Sequence, residues 1–523
     1  MSVIERVKRN GGVLLVVMLA ALLRLALLDM KPPHFDEGVN GWFVDQMTRN
    51  GFYHYDPENY HGPLHFYLLF LFQTLFGRHA WALRLPVAFI SIACVWFTTR
   101  FDRFVDRRTC LFAALAMAVS PAAVFYGRYA IHESEFLFFL LLAVWGFVGL
   151  RRLGQKRYLW AAGLGLTGLV LTKETYVIHL ACFGLAAFCQ ALWERLFPST
   201  QAAVAERRWT ARDVCMLGAT CLGAIVFFYS GNLLDFSSLT GVPNENLART
   251  PLKVLVMSNP LLHTFVAWTQ TGTQGHGHEK AAWYWLDLIR RYEWPAVLGV
   301  IYSVRYLWPG SDRLMRYMAI YGCGTLVAYS VVPYKTPWCV ISLLWPFFFL
   351  FGDLVRESAS RWKAWAVYLP AGVLLAISLG LSVRLNYFHY TDEDEPYVYV
   401  QTFNDVHKLI DPLYKLAQSN PETYQFTGHI LLPSYHPLPW LLGDFTKVGY
   451  YGSDSTPAEM DADFLLVDDS RVSVVEKGLK DAYFKDSLRL RGSQDPSTLY
   501  LSYAKFRALF PGREAEFQPE SVR

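Results

Sequence analysis

Apolar runs separated by short polar turns fill the chain as far as about Val383 and then stop. A helix needs about 20 apolar residues to cross about 30 Å of hydrocarbon. The first such run is 11–28, with Arg6, Lys8 and Arg9 ahead of it. It is longer than a signal-peptide core and no small-residue cleavage site precedes Lys31-Pro32-Pro33. The pattern therefore predicts a retained anchor with its N-terminus in the cytoplasm. Further spans are expected at about 83–99, 110–126, 134–150, 158–172, 175–192, 214–230, 294–308, 317–332, 338–354 and 364–383, giving about 11 transmembrane helices. Arg and Lys gather in every second loop, for example Arg100, Arg103, Arg107 and Arg108, then Arg151, Arg152, Lys156 and Arg157. Cytoplasmic loops carry that excess, so the alternation supports the register.

The apolar stretch Leu64 to Phe76 is only 13 residues long. Counting it as a span would put the basic 100–108 loop outside, so it is expected to lie at the outer interface. The outer side then holds loops 29–82 and 231–293 and everything after Arg384. In that tail, 397–400, 429–432 and 464–467 read as strands and 404–418 as a helix. The expected organisation is an α-helical polytopic membrane domain, 1–384, followed by an extracytoplasmic α/β domain, 385–523.

Composition agrees. Hydrophobic residues make up 53% and charged residues 18% of the 523 residues, against roughly 25% charged in an ordinary globular chain. Disorder, collagen, coiled coil and a small disulfide scaffold are excluded. The net charge of +4 gives no electrostatic case for nucleic acid. The eight cysteines lie in or beside apolar stretches without CxxC spacing and read as buried thiols.

Polar groups kept at a membrane boundary are costly and point to function. Loop 29–82 opens with Pro32-Pro33-His34-Phe35-Asp36-Glu37-Gly38 and continues through His61-Gly62-Pro63-Leu64. Ala82-Leu83-Arg84-Leu85-Pro86 starts the second span. The third and fourth spans are joined by Tyr126-Gly127-Arg128-Tyr129-Ala130-Ile131-His132-Glu133, the fifth and sixth by Leu171-Thr172-Lys173-Glu174.

This order resembles the GT-C membrane glycosyltransferases, of the protein O-mannosyltransferase and aminoarabinose-transferase type. The likeness covers about residues 1–180 in motif and extends to about 383 in topology. His276-Gly277-His278-Glu279-Lys280 and Tyr334-Lys335-Thr336-Pro337-Trp338 resemble a flippase-activity-associated subgroup from glycosylation clusters. The resemblance implies a sugar donor carried on a polyprenyl phosphate and an acid in the first outer loop as the catalytic residue, which matches Asp36. It implies a second acid at Glu133, where Asp is usual. His61-Gly62-Pro63 departs from the commoner H-P-P, and His61 is counted with the donor-binding set.

The residues themselves suit that chemistry. Transfer to a hydroxyl needs a base for the acceptor proton and relief of charge on the departing phosphate. Asp36 is the first choice of base, with Glu37 as helper or true base. Glu133 would orient the acceptor or bind a metal. Arg128, Lys173 and Lys335 are placed to hold the lipid phosphate. His276 and His278, with Glu279, could ligate a divalent metal such as Zn²⁺ or Mn²⁺, or be solvated loop residues. Arg128, Lys173 and Lys335 could instead be snorkelling anchors, and Glu133 a helix cap. The expected partners are membrane lipid, the lipid-linked sugar and a glycan, lipid or protein acceptor, at the cytoplasmic membrane with the tail outside. The alternative is a lipid-linked glycan flippase, or flippase accessory, that breaks no bond. Asp36 and Glu133 are expected to converge on one crevice above the headgroups.

Overall fold

The computed structural model describes residues 3–197, 206–274, 277–309 and 311–519. The chain divides into two compact units. One is Met1–Leu28 with Met47–His389, and the other is Asp29–Gln46 with Tyr390–Arg523.

The first unit is helical. It contains α1 (Val3–Leu25), the end of α2 (Phe35–Asn50), α3 (Leu64–Phe76) and α4 (Ala80–Thr98). After these come α5 (Arg107–Val119), α6 (Pro121–Tyr126), α7 (Glu133–Leu153), α8 (Lys156–Thr172), α9 (Tyr176–Leu196) and α10 (Ala211–Tyr229). Helices Arg313–Val331, Val340–Arg361 and Ala364–Tyr387 close the unit. The expected spans fall on helix, except that 294–308 is the nine-residue helix Trp294–Tyr302 followed by a 3₁₀ turn, Ser303–Leu307. Among the described residues, six helices are long and apolar enough to cross a membrane: Ala80–Arg103, Glu133–Leu153, Tyr176–Leu196, Ala211–Tyr229, Pro337–Arg361 and Ala364–Tyr387. The stretch expected at the interface is the 13-residue helix α3.

Local sequence explains the breaks. The expected span 110–126 is two helices because Ser120 ends α5 and starts α6. Its hydroxyl accepts from the Ala123 N–H, and Pro121 occupies the first helical position. Three buried arginines tie the apolar helices together at backbone carbonyls near helix ends. Arg24 donates to the Met117 and Ala118 oxygens at the end of α5 and to Ser91 Oγ. Arg84 donates to the Leu28 oxygen. Arg128 caps α1 through Ala26 O at 2.6 Å and Leu27 O at 2.8 Å.

The second unit is the α/β domain with the start of α2. Its sheet contains β1 (Thr427–Leu431), β2 (Lys447–Tyr450), β3 (Phe464–Asp468), β4 (Tyr483–Leu488) and β5 (Ser497–Ser502), in the order β2-β1-β3-β5-β4. β1 runs parallel to β2 and β3, and β5 antiparallel to β3 and β4. Alternation along β3 serves both faces. Phe464 and Leu466 pack with Leu409 and Leu413 of helix His407–Ser419, while Leu465 and Val467 pack with Val475 and Leu479. The expected strands 429–432 and 464–467 lie on β1 and β3, and the helix expected at 404–418 is a short 3₁₀ turn leading into His407–Ser419. Residues 397–400 are not a strand. Val400 sits at φ +54°, which breaks the pleat, and the Tyr399 carbonyl is taken by a histidine ring.

Candidate functional site

In the helical unit, polar groups from three turns meet. Glu133 begins α7, Lys173 and Glu174 follow α8, and His61 precedes α3. The Lys173 ammonium donates to Glu133 Oε1, and both side chains are buried. Its Nζ lies 3.6 Å from Cys339 Sγ. Glu174 Oε2 pairs with His61 Nδ1 at 2.8 Å. The His61 and His132 rings are 4.6 Å apart, the His132 and His65 rings 4.0 Å, and His65 pairs with Glu135 at 2.9 Å. His132 Nε2 is buried without a partner.

The charges balance locally. Burial opposes the Lys173 charge, but the Cys339 sulfur and the Glu133 and Glu174 carboxylates outweigh it and raise its proton affinity well above the ordinary value. Burial opposes the Glu174 charge too, yet His61 and Lys173 bring its carboxyl below the usual range. His132 is held well below the usual imidazole value by burial and by its His65, His61 and Lys173 neighbours, so it is neutral near pH 7.

The Gly62 step has a physical reason. Its N–H donates to the Thr172 carbonyl at 3.1 Å, and a Cβ there would stand 2.2 Å from the Leu171 carbonyl carbon. A proline has neither the donor nor the room. The contact fixes His61 beside the turn that carries Lys173 and Glu174.

The two motifs at 276–280 and 334–338 meet. Glu279 and Tyr334 form an antiparallel bridge, the Lys335 N–H donates to His278 O at 3.1 Å, and the His278 and Tyr334 rings are 4.9 Å apart. The Lys335 ammonium donates to the Lys280 carbonyl at 3.1 Å and to that of Val332, and burial lowers its proton affinity. His276 lies outside the described residues. Among those described, no group of three or more His, Cys, Asp or Glu side chains is arranged to hold a metal ion. Arg128, besides capping α1, lies 4.8 Å over the Tyr387 ring.

Asp36 and Glu37 belong to the second unit, at the start of α2. His34 precedes the helix, and its N–H donates to Glu37 Oε2 at 2.8 Å, the reciprocal half of a capping box. Glu37 is 1% exposed, whereas the Asp36 side chain is 36% exposed. The Asp36 N–H donates to His34 Nδ1 at 3.1 Å while His34 Nε2 donates to the Tyr399 carbonyl at 2.7 Å, which fixes the imidazole tautomer. Gly38 admits the close approach of Pro437, whose Cα would lie 2.3 Å from a Cβ.

Sequence reading singled out Lys173, Glu133 and His61 but gave no role to His65, His132, Glu135, Glu174 or Cys339. The available signal was ionisable side chains beside apolar helices, with His65 inside the run Leu64-His65-Phe66-Tyr67-Leu68-Leu69.

The fold is the GT-C fold of membrane glycosyltransferases, as the resemblance implied. It is similar to ArnT from Cupriavidus metallidurans bound to undecaprenyl phosphate, with a TM-score of 0.59 and 12% identity over 94% of this chain and 98% of that one. The apo state of that protein gives 0.57 and 13% over the same shares. The archaeal oligosaccharyltransferase AglB from Archaeoglobus fulgidus, in complex with an inhibitory peptide and a dolichol-phosphate, gives 0.49 and 10% over 96% and 75%. The family model of dolichyl-phosphate-mannose-protein mannosyltransferases matches residues 60–228. Among curated proteins none matches significantly.

Proposed function

We propose that the protein is an integral-membrane glycosyltransferase that moves a sugar from a polyprenyl-phosphate donor to an acceptor at the outer membrane face. The observation that carries this reading is the coincidence of the family match, 60–228, with the Lys173–Glu133 and His61–Glu174 pairs. A phosphate leaving group needs a fixed cation, and Lys173 is a cation kept charged by its neighbours. Arg128 donates to the carbonyls at the end of α1 and to the Tyr387 hydroxyl, Lys335 to two backbone carbonyls, and both act by holding α1 and the 278–335 bridge in place.

Asp36 is the base in this reading. It takes the acceptor hydroxyl proton as the acceptor oxygen bonds to the anomeric carbon. The bond from that carbon to the phosphate oxygen breaks, polyprenyl phosphate leaves with the electron pair, and the configuration inverts. Of the two loop acids, Asp36 is the accessible one, while Glu37 is committed to its cap. Glu133 orients the groups around Lys173. In the relatives' names the carriers are undecaprenyl and dolichyl phosphates, and the proposed setting is the cytoplasmic membrane with residues 385–523 outside.

The test is release of polyprenyl phosphate from dolichyl-phosphate mannose and from an undecaprenyl-phosphate sugar by the purified protein in vesicles. Release that Asp36→Asn abolishes supports the enzyme. Movement of the intact donor between leaflets without release means the transporter reading instead.

A further inference from the structure

Arg491 is 2% exposed, deep in the sheet unit. Its Nη1 donates to the His436 carbonyl at 3.0 Å. Its Nη2 donates to the Ser434 carbonyl at 3.1 Å, Ser434 Oγ at 2.8 Å and Gln494 Oε1 at 3.0 Å. Nε is buried without a partner. Every acceptor is neutral, so among the described residues no carboxylate is bonded to this buried charge. Such a charge is expensive unless something of opposite sign faces it.

What faces it is the first turn of α2. The guanidinium carbon lies 4.7 Å from the centre of the Phe35 ring. The same ring meets His436 edge-on at 5.4 Å. Phe35 is thus held between the two side chains, and the next residue is Asp36. The Asp36 backbone is itself fixed through His34 to the Tyr399 carbonyl, and Gln401 Nε2 donates to the Pro32 carbonyl at 2.9 Å. A flexible loop acid would gain nothing from a rigid cation, but an acid on a clamped helix start does.

We infer that Arg491, a residue of the C-terminal domain, is a positioning residue for the Asp36 carboxylate: it clamps Phe35 through its face and presents a fixed positive charge to the acid one residue on. Burial brings Arg491 down to about 10 and the Asp36 charge acts in the opposite sense, so Arg491 stays cationic at neutral pH. The inference rests on Asp36 being the base. It gives the α/β domain a part in transfer.

A melting cycle on the full chain in detergent tests the pairing without substrate. The variants are Asp36→Asn, Arg491→Met and the two together. If Arg491 only anchors the 434–436 loop, the shifts add. If its charge faces Asp36, they depart from additivity by about 2 °C or more, and Arg491→Lys recovers most of the departure. Additivity within about 0.5 °C overturns the inference. Arg491→Gln, which keeps an amide donor for Ser434, replaces Arg491→Met if that variant does not fold. In the release assay with dolichyl-phosphate mannose, Arg491→Met lowers kcat about tenfold or more with KM unchanged. Arg491→Lys rescues it, and the change has no further effect on top of Asp36→Asn. An equal rise in KM, or no rescue by Lys, overturns it. Coupled melting shifts with full release by Asp36→Asn would overturn Asp36 as the base while leaving the pairing intact.

Discussion

In the helical unit the buried Lys173 ammonium is bonded directly to Glu133, and Glu174 to the half-buried His61 ring, whereas in the sheet unit the buried Arg491 guanidinium is bonded to neutral acceptors and lies over Phe35, the residue before the partly exposed Asp36. The first arrangement stabilises its own members, and losing one strands another. The second, in the proposed reading, leaves the acid free to meet a substrate and keeps the cation fixed. In the proposed reading the bonded pair holds the helical unit together around the cation that meets the phosphate, and the unbonded charge of the sheet unit serves the base.

The largest expected effect tests that division. Asp36→Asn lowers kcat by about 10³-fold, within the range a positioned base contributes. It leaves hydrogen exchange of the β1 and β3 amides unchanged, because its side chain is no part of the core. Exchange mass spectrometry beside the release assay checks both. A loss of protection in β3 would mean that Asp36 is structural after all.

Lys173→Met costs stability as well as transfer. Removing one partner of a buried pair costs about 3–5 kcal/mol, and here Glu133 is left uncompensated. Thermal unfolding of the helical unit should show that loss, and Lys173→Met with Glu133→Gln should recover most of it. If the double variant is no better than the single one, the pair is not the stabilising element.

Acid separates the units residue by residue. His436 is brought down to about 4 by burial, with Arg491 beside it, so the unfolded chain binds its proton first. The stability this contributes is whole above about pH 6.5 and is lost as pH falls toward about 4. The loss is on the order of 2 kcal/mol after discounting for a partly exposed ring. His132 acts in the same direction in the helical unit. His436→Gln should flatten the acid loss of β-sheet protection alone, and His132→Phe that of the helical unit alone, as read by exchange between pH 7 and about pH 4.5.

Much of the helical unit was legible because apolar length and the Arg and Lys alternation depend on the bilayer alone. Ser120-Pro121 was a local signal inside an apolar run, and hydropathy hides it. In the tail, β1 and β3 were legible as apolar runs. β4 was not, because Tyr483-Phe484-Lys485-Asp486-Ser487-Leu488 carries two charges that a sheet edge tolerates. At the site, Lys173, Glu133 and His61 were legible from motif. Arg491 was not, because it comes from a segment more than 450 residues beyond Asp36 and has no motif around it. Nor could spacing tell Asp36 from Glu37, which only the helix start distinguishes.

That distinction gives the smallest expected effect. Glu37→Gln keeps a side-chain oxygen for the His34 N–H but removes the negative charge from the first turn of α2, where it faces the positive end of the helix. The expected cost is about 1 kcal/mol of sheet-unit stability, measured by exchange of α2 and β1 amides, with kcat changed less than about threefold once the protein is folded. Because the two acids are neighbours in sequence, a loop that used either as base would lose transfer with both substitutions. A helix that bonds one and exposes the other loses transfer with Asp36→Asn and only stability with Glu37→Gln. A fall in kcat of about 10³-fold with Glu37→Gln would reverse the two roles.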